Sequence, residues 1–190
     1  MLTEIAPPEI TASMQEELAR HLRLSSGFAG GRAEEAEAAF RAAVAHLERA
    51  LGLALIPRDF RWRGRLGANR TAQPPIGPVS ALRSVSRVLR DGALEAVDPV
   101  FFRLDRVETR TRIRASANIT DVLEFTFAAG FGADWSATPD DLRRAAWMLA
   151  AEHFDRRHAS STRRDYASAH GVEALIRPWR ALRLGGRARV

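Results

Sequence analysis

At residue 57 the hydrophobic period of this chain changes, and a fold built from one kind of element cannot absorb that change. Before it, Phe40, Val44, Leu47 and Leu51 recur every three or four residues, the stripe of an amphipathic helix. After it, in FRWRGRL, Phe60, Trp62 and Leu66 alternate with Arg61, Arg63 and Arg65, the two-residue period of a strand with one buried and one solvated face. The same period reappears in DVLEFTFAAGFG, where Val122, Glu124 and Thr126 face one way and Leu123, Phe125 and Phe127 the other. From Thr138 onward the spacing is helical again. The expected class is α+β: a small helical bundle of about four helices, with a β-rich insertion between the second and third helices.

Local signals place the elements. Pro7 and Pro8 bar a helix, so residues 1–10 are expected to form an irregular arm. Ser13 to Glu16 reads as a capping box, and Met14, Leu18 and Leu22 carry a short helix to about residue 23. SSGFAGG, 25–31, reads as a connector, and a longer alanine-rich helix follows from about Arg32 to Leu51, stopped by Gly52. Further strands are expected in 80–90, 94–97, 100–104 and 110–115, with a hairpin turn at Asp91-Gly92 and a break at QPPIGP, 73–78. Thr138 is the expected N-cap of a third helix running to about 158, with Pro139 at its first position and Asp140 and Asp141 in its first turn. A polar linker, 159–170, then leads to a tail, 171–190. The division expected for one domain of 1–190 is therefore 12–56, 57–132, 138–158 and 171–190.

Composition bounds the function. With 190 residues, 46% of them apolar, the chain can bury one sizeable core. It has no cysteine, which excludes disulfides and thiolate metal sites. MLTEIAPPEI has no basic head and no apolar run, so it is not a signal peptide, and ALGLALI, 50–56, is too short to span a bilayer. A soluble protein with no membrane partner, acting where it is made, is expected. The formal net charge is +6, and every basic residue is arginine. Total absence of lysine points to an arginine-favouring, GC-rich coding bias rather than to selection for phosphate forks.

No constellation supports catalysis, a cofactor or a metal. His153 and His158 are five apart, off the i, i+4 spacing of a helical zinc pair, and His21, His46 and His170 lack ligand neighbours. Capping a helix accounts for Asp140 and Asp141. The serines lie outside any Gly-x-Ser-x-Gly elbow, and GFAGG lacks the Lys-Ser/Thr ending of a phosphate loop. Two features remain. Arg61, Arg63 and Arg65 could track a nucleic-acid backbone or contact another subunit, or they are a solvated strand face balanced by acids. The tail segment GVEALIRPWRALRLGG, 171–186, is apolar on one side and basic on the other. Pro178 ends its helix near Ile176 or Arg177. Beyond that point Trp179 either anchors an extended run on a partner's sheet edge or, with Leu182, folds back on the chain's own core.

The ordered set GLALIPRDFRWRG, PPIGPVSALRSVSRVLRDGALEAVDPVFFRLD, FTFAAGFGADWSATPDDLRRAAWMLAAEHFDRR and GVEALIRPWRALRLG resembles the head–tail connector (adaptor, or head-completion) family of long-tailed phages and gene transfer agents, over roughly 12–186. What the resemblance implies is a structural protein rather than an enzyme: a ring, usually dodecameric, beneath the capsid portal. Such a ring extends the channel for double-stranded DNA and presents the surface for the tail-completion (stopper) protein. It also implies assembly in the bacterial cytoplasm and residence in the particle neck, with the sequence style favouring a gene transfer agent. On this view Val172, Leu175, Ile176, Arg177, Trp179, Arg180, Leu182, Arg183 and Leu184 are candidates for docking on the portal, and deleting 171–190 leaves a folded protein. The alternative is an arginine-rich DNA-binding module with no ring role.

Overall fold

A computed structural model describes residues 1–23, 31–107, 110–117, 119–156 and 165–180. Among the described residues four helices are seen: α1 (Ala12–His21), α2 (Gly31–Leu51), α3 (Asp140–Arg156) and α4 (Asp165–Ile176). Eight strands accompany them: β1 (Leu2–Glu4), β2 (Arg58–Gly64), β3 (Thr71–Ala72), β4 (Val79–Val88), β5 (Leu94–Val97), β6 (Phe102–Val107), β7 (Arg110–Ala115) and β8 (Val122–Ala129). The strands form two antiparallel sheets, ordered β1-β2-β8-β4-β5 and β3-β7-β6. In chain order β2 to β8 lie between α2 and α3, so the chain is mixed α+β as the period change requires.

Several local expectations need correction. The N-terminal arm is irregular only beyond Glu4, because Leu2–Glu4 pairs with β2, placing Leu2 opposite Trp62. The prolines lie beyond that pairing and leave it free to form. Thr11, not Ser13, caps α1: its hydroxyl accepts from the Met14 N–H at 3.4 Å. Val100 and Phe101 are not strand, since Asp98 accepts from the Val100 N–H at 2.9 Å and Pro99 starts a 3-10 turn over 99–101. Thr138 does not cap α3. Its hydroxyl donates to the Leu55 carbonyl at 2.7 Å and pins the helix start to the α2–β2 crossing. Helix α4 begins at Asp165, inside the stretch expected to be linker, and it stops at Ile176 before Pro178, as expected. Residues 25–30 of the connector and 159–164 of the linker lie outside the described residues.

Two apolar clusters result. In the helical one Phe40 stacks on Trp147 with centroids 4.3 Å apart, and Trp135 packs edge-on against both rings. In the other, the small sheet covers one face of the large sheet, with Ile113, Ala115 and Phe102 set against Phe125 and Phe127. At the joint between them Gly52 ends α2 at φ +68°, where its N–H still donates to Glu48 and an L side chain is strained. Gly130 leaves β8 at φ +145°, and a Cβ there would lie 2.8 Å from the Pro57 Cα.

One buried carboxylate fastens the joint. Glu48, in the last turn of α2, accepts from the Leu55 N–H at 2.7 Å and the Ile56 N–H at 3.4 Å. It also takes both terminal nitrogens of Arg58, at 2.9 and 2.7 Å. Arg58 is itself nearly enclosed; it donates to Glu4 of β1 at 2.8 Å and lies over the Phe60 ring. Burial opposes the guanidinium charge, and the bonds to Glu48 and Glu4 outweigh it, so its pKa stands above that of a free arginine.

Candidate functional site

The arginine strand comes out as drawn from the sequence but with a partner already in place. Arg61 and Arg63 are exposed on the outer face of β2, and the register sets Arg63 beside Glu124 of β8. Glu124 is buried; its carboxylate lies 2.6 Å from the Arg63 Nε and 3.6 Å from the Arg61 Nε. Two of the three guanidiniums thus share one carboxylate within the sheet. Arg65 is exposed just past the end of β2. The alternation that put Glu124 on the face away from the phenylalanines was the signal for this pairing.

The tail is anchored on the chain's own core through residue 180. Val172 and Ile176 are buried in the helical cluster, and Leu175 and Trp179 are partly buried against it. The Trp179 ring meets Phe131 edge-on at 5.7 Å, and its indole N–H donates to Asp141 at 2.6 Å. For Trp179 the fold-back alternative therefore holds. Arg180 pairs with Glu173 at 2.7 Å, and Arg177 is exposed. Leu182, Arg183 and Leu184 lie outside the described residues.

Three further surfaces were not singled out from the sequence. On the small sheet, Arg103, Arg110, Arg112 and Arg114 are exposed on one face, and the period-two arginines of RTRIR were the available signal. Between α1 and α3 a groove of about 760 Å³ is lined by Arg20, His21, Arg143 and Arg144, together with Glu17 and Asp140, over Trp147 and Met148. Burial, and then the nearby Arg144 charge, hold the His21 pKa below that of a free imidazole. At the end of β5, Val100 and Phe101 are 74% and 49% exposed, an apolar pair open to water.

Among the described residues no group of three or more His, Cys, Asp or Glu comes together in a way that would hold a metal ion. No described helix is long and apolar enough to cross a membrane. The surfaces described above are ones of charge and shape.

No protein-family profile and no curated protein sequence matches the chain. Solved structures do. A chain from the neck of an empty gene transfer agent (GTA) particle, computed with C6 symmetry, is 33% identical, with each chain covered fully and a TM-score of 0.82. A chain from the virion of a native gene transfer agent particle is 34% identical over 98% of both chains, with a TM-score of 0.80. A third, from the neck of a native GTA particle computed with C12 symmetry, is 31% identical over the whole of both, with a TM-score of 0.78.

Proposed function

Because the chain belongs to the head–tail connector family of phages and gene transfer agents, we propose that it is an adaptor subunit of a gene transfer agent neck. It forms a ring, dodecameric in the particle, beneath the capsid portal. The ring extends the channel for double-stranded DNA and presents the surface on which a stopper and tail attach. Its role is structural, not catalytic, with assembly in the bacterial cytoplasm before incorporation into the particle. The observation that carries this reading is the end-to-end similarity: every element, including both sheets, falls within the matched length. On this reading the β-block is an insertion in one connector domain.

A ring built from identical subunits is head-to-tail, so each subunit offers two unlike lateral surfaces. The basic groove between α1 and α3 and the apolar pair Val100–Phe101 are two such surfaces on different parts of the fold. Portal docking falls to Arg177 and the segment after it, with Leu182, Arg183 and Leu184. Val172, Ile176 and Trp179, which precede that segment, are packed on the chain's own core. The deletion that tests docking is therefore 181–190, because removal of 171–190 would strip buried side chains from the helical cluster. Mass measurement and electron microscopy of the full chain, alone and mixed with portal, should show a ring on the portal, and the 181–190 deletion should fold but fail to join it. A wild-type chain that never forms a ring on portal would sink the adaptor reading. Normal joining by the truncated chain would remove the docking role alone. The second reading, a DNA-binding module with no ring role, draws on the exposed arginine face of the small sheet. It expects salt-sensitive DNA binding with no ring under any condition.

A further inference from the structure

We infer that the outer face of the β6–β7 ribbon, carrying Arg103, Arg110, Arg112 and Arg114, is the surface of this chain that meets the phosphate backbone of double-stranded DNA. The inference rests on the adaptor reading for the source of the DNA, and on the ribbon itself for the residues. The register sets Arg103 directly opposite Arg114, Asp105 opposite Arg112 and Val107 opposite Arg110, so these positions share one face. The opposite face is spent on the fold: Ile113 and Phe102 are buried between the sheets, and the Thr111 hydroxyl accepts from the Val79 N–H at 3.0 Å. Asp105 answers only Arg114, at 2.7 Å. Arg103, Arg110 and Arg112 have no ion-pair partner among the described residues.

That contrasts with β2, where Glu124 pairs with both arginines beside it. With Arg114 held by Asp105, the guanidiniums of Arg103, Arg110 and Arg112 are left as unbalanced positive charge on this face, which an anion would satisfy. Spacing suits a regular polyanion. Alternate residues on a strand stand about 6.7 Å apart, so Arg110, Arg112 and Arg114 present an evenly spaced row of cations to the evenly spaced charges of a phosphate backbone. An acidic protein partner is the less favoured occupant, because protein interfaces centre on buried aromatic or aliphatic anchors, and the four arginines are interleaved with no aromatic on this face. Contacts of this kind position without reading sequence, which lets a protein slide along DNA.

The test titrates the full-length chain with a labelled, mixed-sequence duplex across a salt series starting at low ionic strength. A variant carrying R103Q, R110Q and R112Q leaves the Arg114–Asp105 pair intact and touches no buried side chain. Wild-type affinity should fall linearly with salt on logarithmic axes. The triple variant should lose roughly 0.9 of slope for each phosphate contact removed, or about 2.7 in all. A control variant, R20Q with R144Q in the α1–α3 groove, should keep the wild-type slope. The inference is overturned if wild type shows no duplex binding at the lowest salt, or if the triple variant keeps the full slope. It is also overturned if the triple variant binds DNA as wild type does but no longer joins the portal, which would assign the face to an acidic protein surface. A ring that fails to form with wild type as well would count against the adaptor reading instead, and the salt slopes would still decide the ribbon.

Discussion

Replacing Glu48 with glutamine changes little in shape and removes the charge on which the joint between the two clusters turns. Of the four bonds the carboxylate accepts, the amide oxygen can keep those on the side of Leu55 and Ile56. The amide nitrogen then faces the Arg58 terminal nitrogen that now sits at 2.7 Å, donor against donor. Arg58, with 6% of its side chain exposed, keeps its other terminal nitrogen on that amide oxygen and on the Ile56 carbonyl, but its remaining charge partner is Glu4, which is 47% exposed and correspondingly weak. Breaking a buried pair from one side costs about 3–5 kcal/mol. The surviving contact to Glu4 places E48Q near the lower figure, about 3 kcal/mol. For a chain of this size that is a fall in Tm of about 6–12 °C. Urea unfolding followed by circular dichroism and tryptophan fluorescence should move its midpoint with an unchanged m value. Glu95→Gln, at an exposed pair with Arg87, is the internal control and should cost about 1 kcal/mol or less. Adding Arg58→Met to E48Q should recover part of the loss, since the buried charge is then gone. If E48Q lies within about 1 kcal/mol of wild type, the pair does not hold the joint and the reasoning fails.

Three more outcomes follow from the same geometry. Gly130→Ala should destabilise by more than about 1 kcal/mol in thermal melts, because φ is +145° and the new Cβ meets backbone at Pro57; an unchanged Tm would show that the crossing can shift. Trp179→Phe keeps a ring against Phe131 but drops the bond to Asp141, at a cost of about 1.5–3 kcal/mol by urea titration; no loss would mean the tail is not pinned there. His21 has its folded pKa below 6.5, so the unfolded chain takes up the proton first. Stability is therefore full above about pH 6.5 and falls as acid carries the chain down towards the folded pKa, and His21→Gln should flatten that decline in melts run across the window.

The fold was legible where side chains repeat with a period. Phe40, Val44 and Leu47 marked α2, and Phe60 and Trp62 against Arg61 and Arg63 marked β2 with its correct faces. Pro178 marked the end of α4. Short elements fixed by distant partners were illegible. Nothing near Leu2 announces that it will pair with Trp62, and nothing near Thr138 says that its hydroxyl will serve Leu55 rather than its own helix. The same limit applied to the candidate surfaces. An arginine on a strand looks alike whether or not a carboxylate lies across the ladder, so Arg63 and Arg112 were separable only once the register was known. Trp179 looked equally suited to a partner or to its own core until Phe131 and Asp141 were brought beside it from other elements.

The joint also has a mechanical consequence. Three chain crossings between the clusters leave the large sheet at one end: the end of β1 at Glu4, the start of β2 at Arg58 and the end of β8 at Ala129, with β1 and β8 both paired to β2. Tension that draws the helices away along the strands therefore pulls β1, β2 and β8 together as one unit. The load then falls lengthwise on β4, the outer neighbour of β8, whose ladder bonds share it at once instead of parting one at a time. In a particle neck such an arrangement resists stretching most strongly along the strands, and its weak point is the β4–β8 ladder, where the register shifts between Val79 and Ala81 and between Leu82 and Ser84.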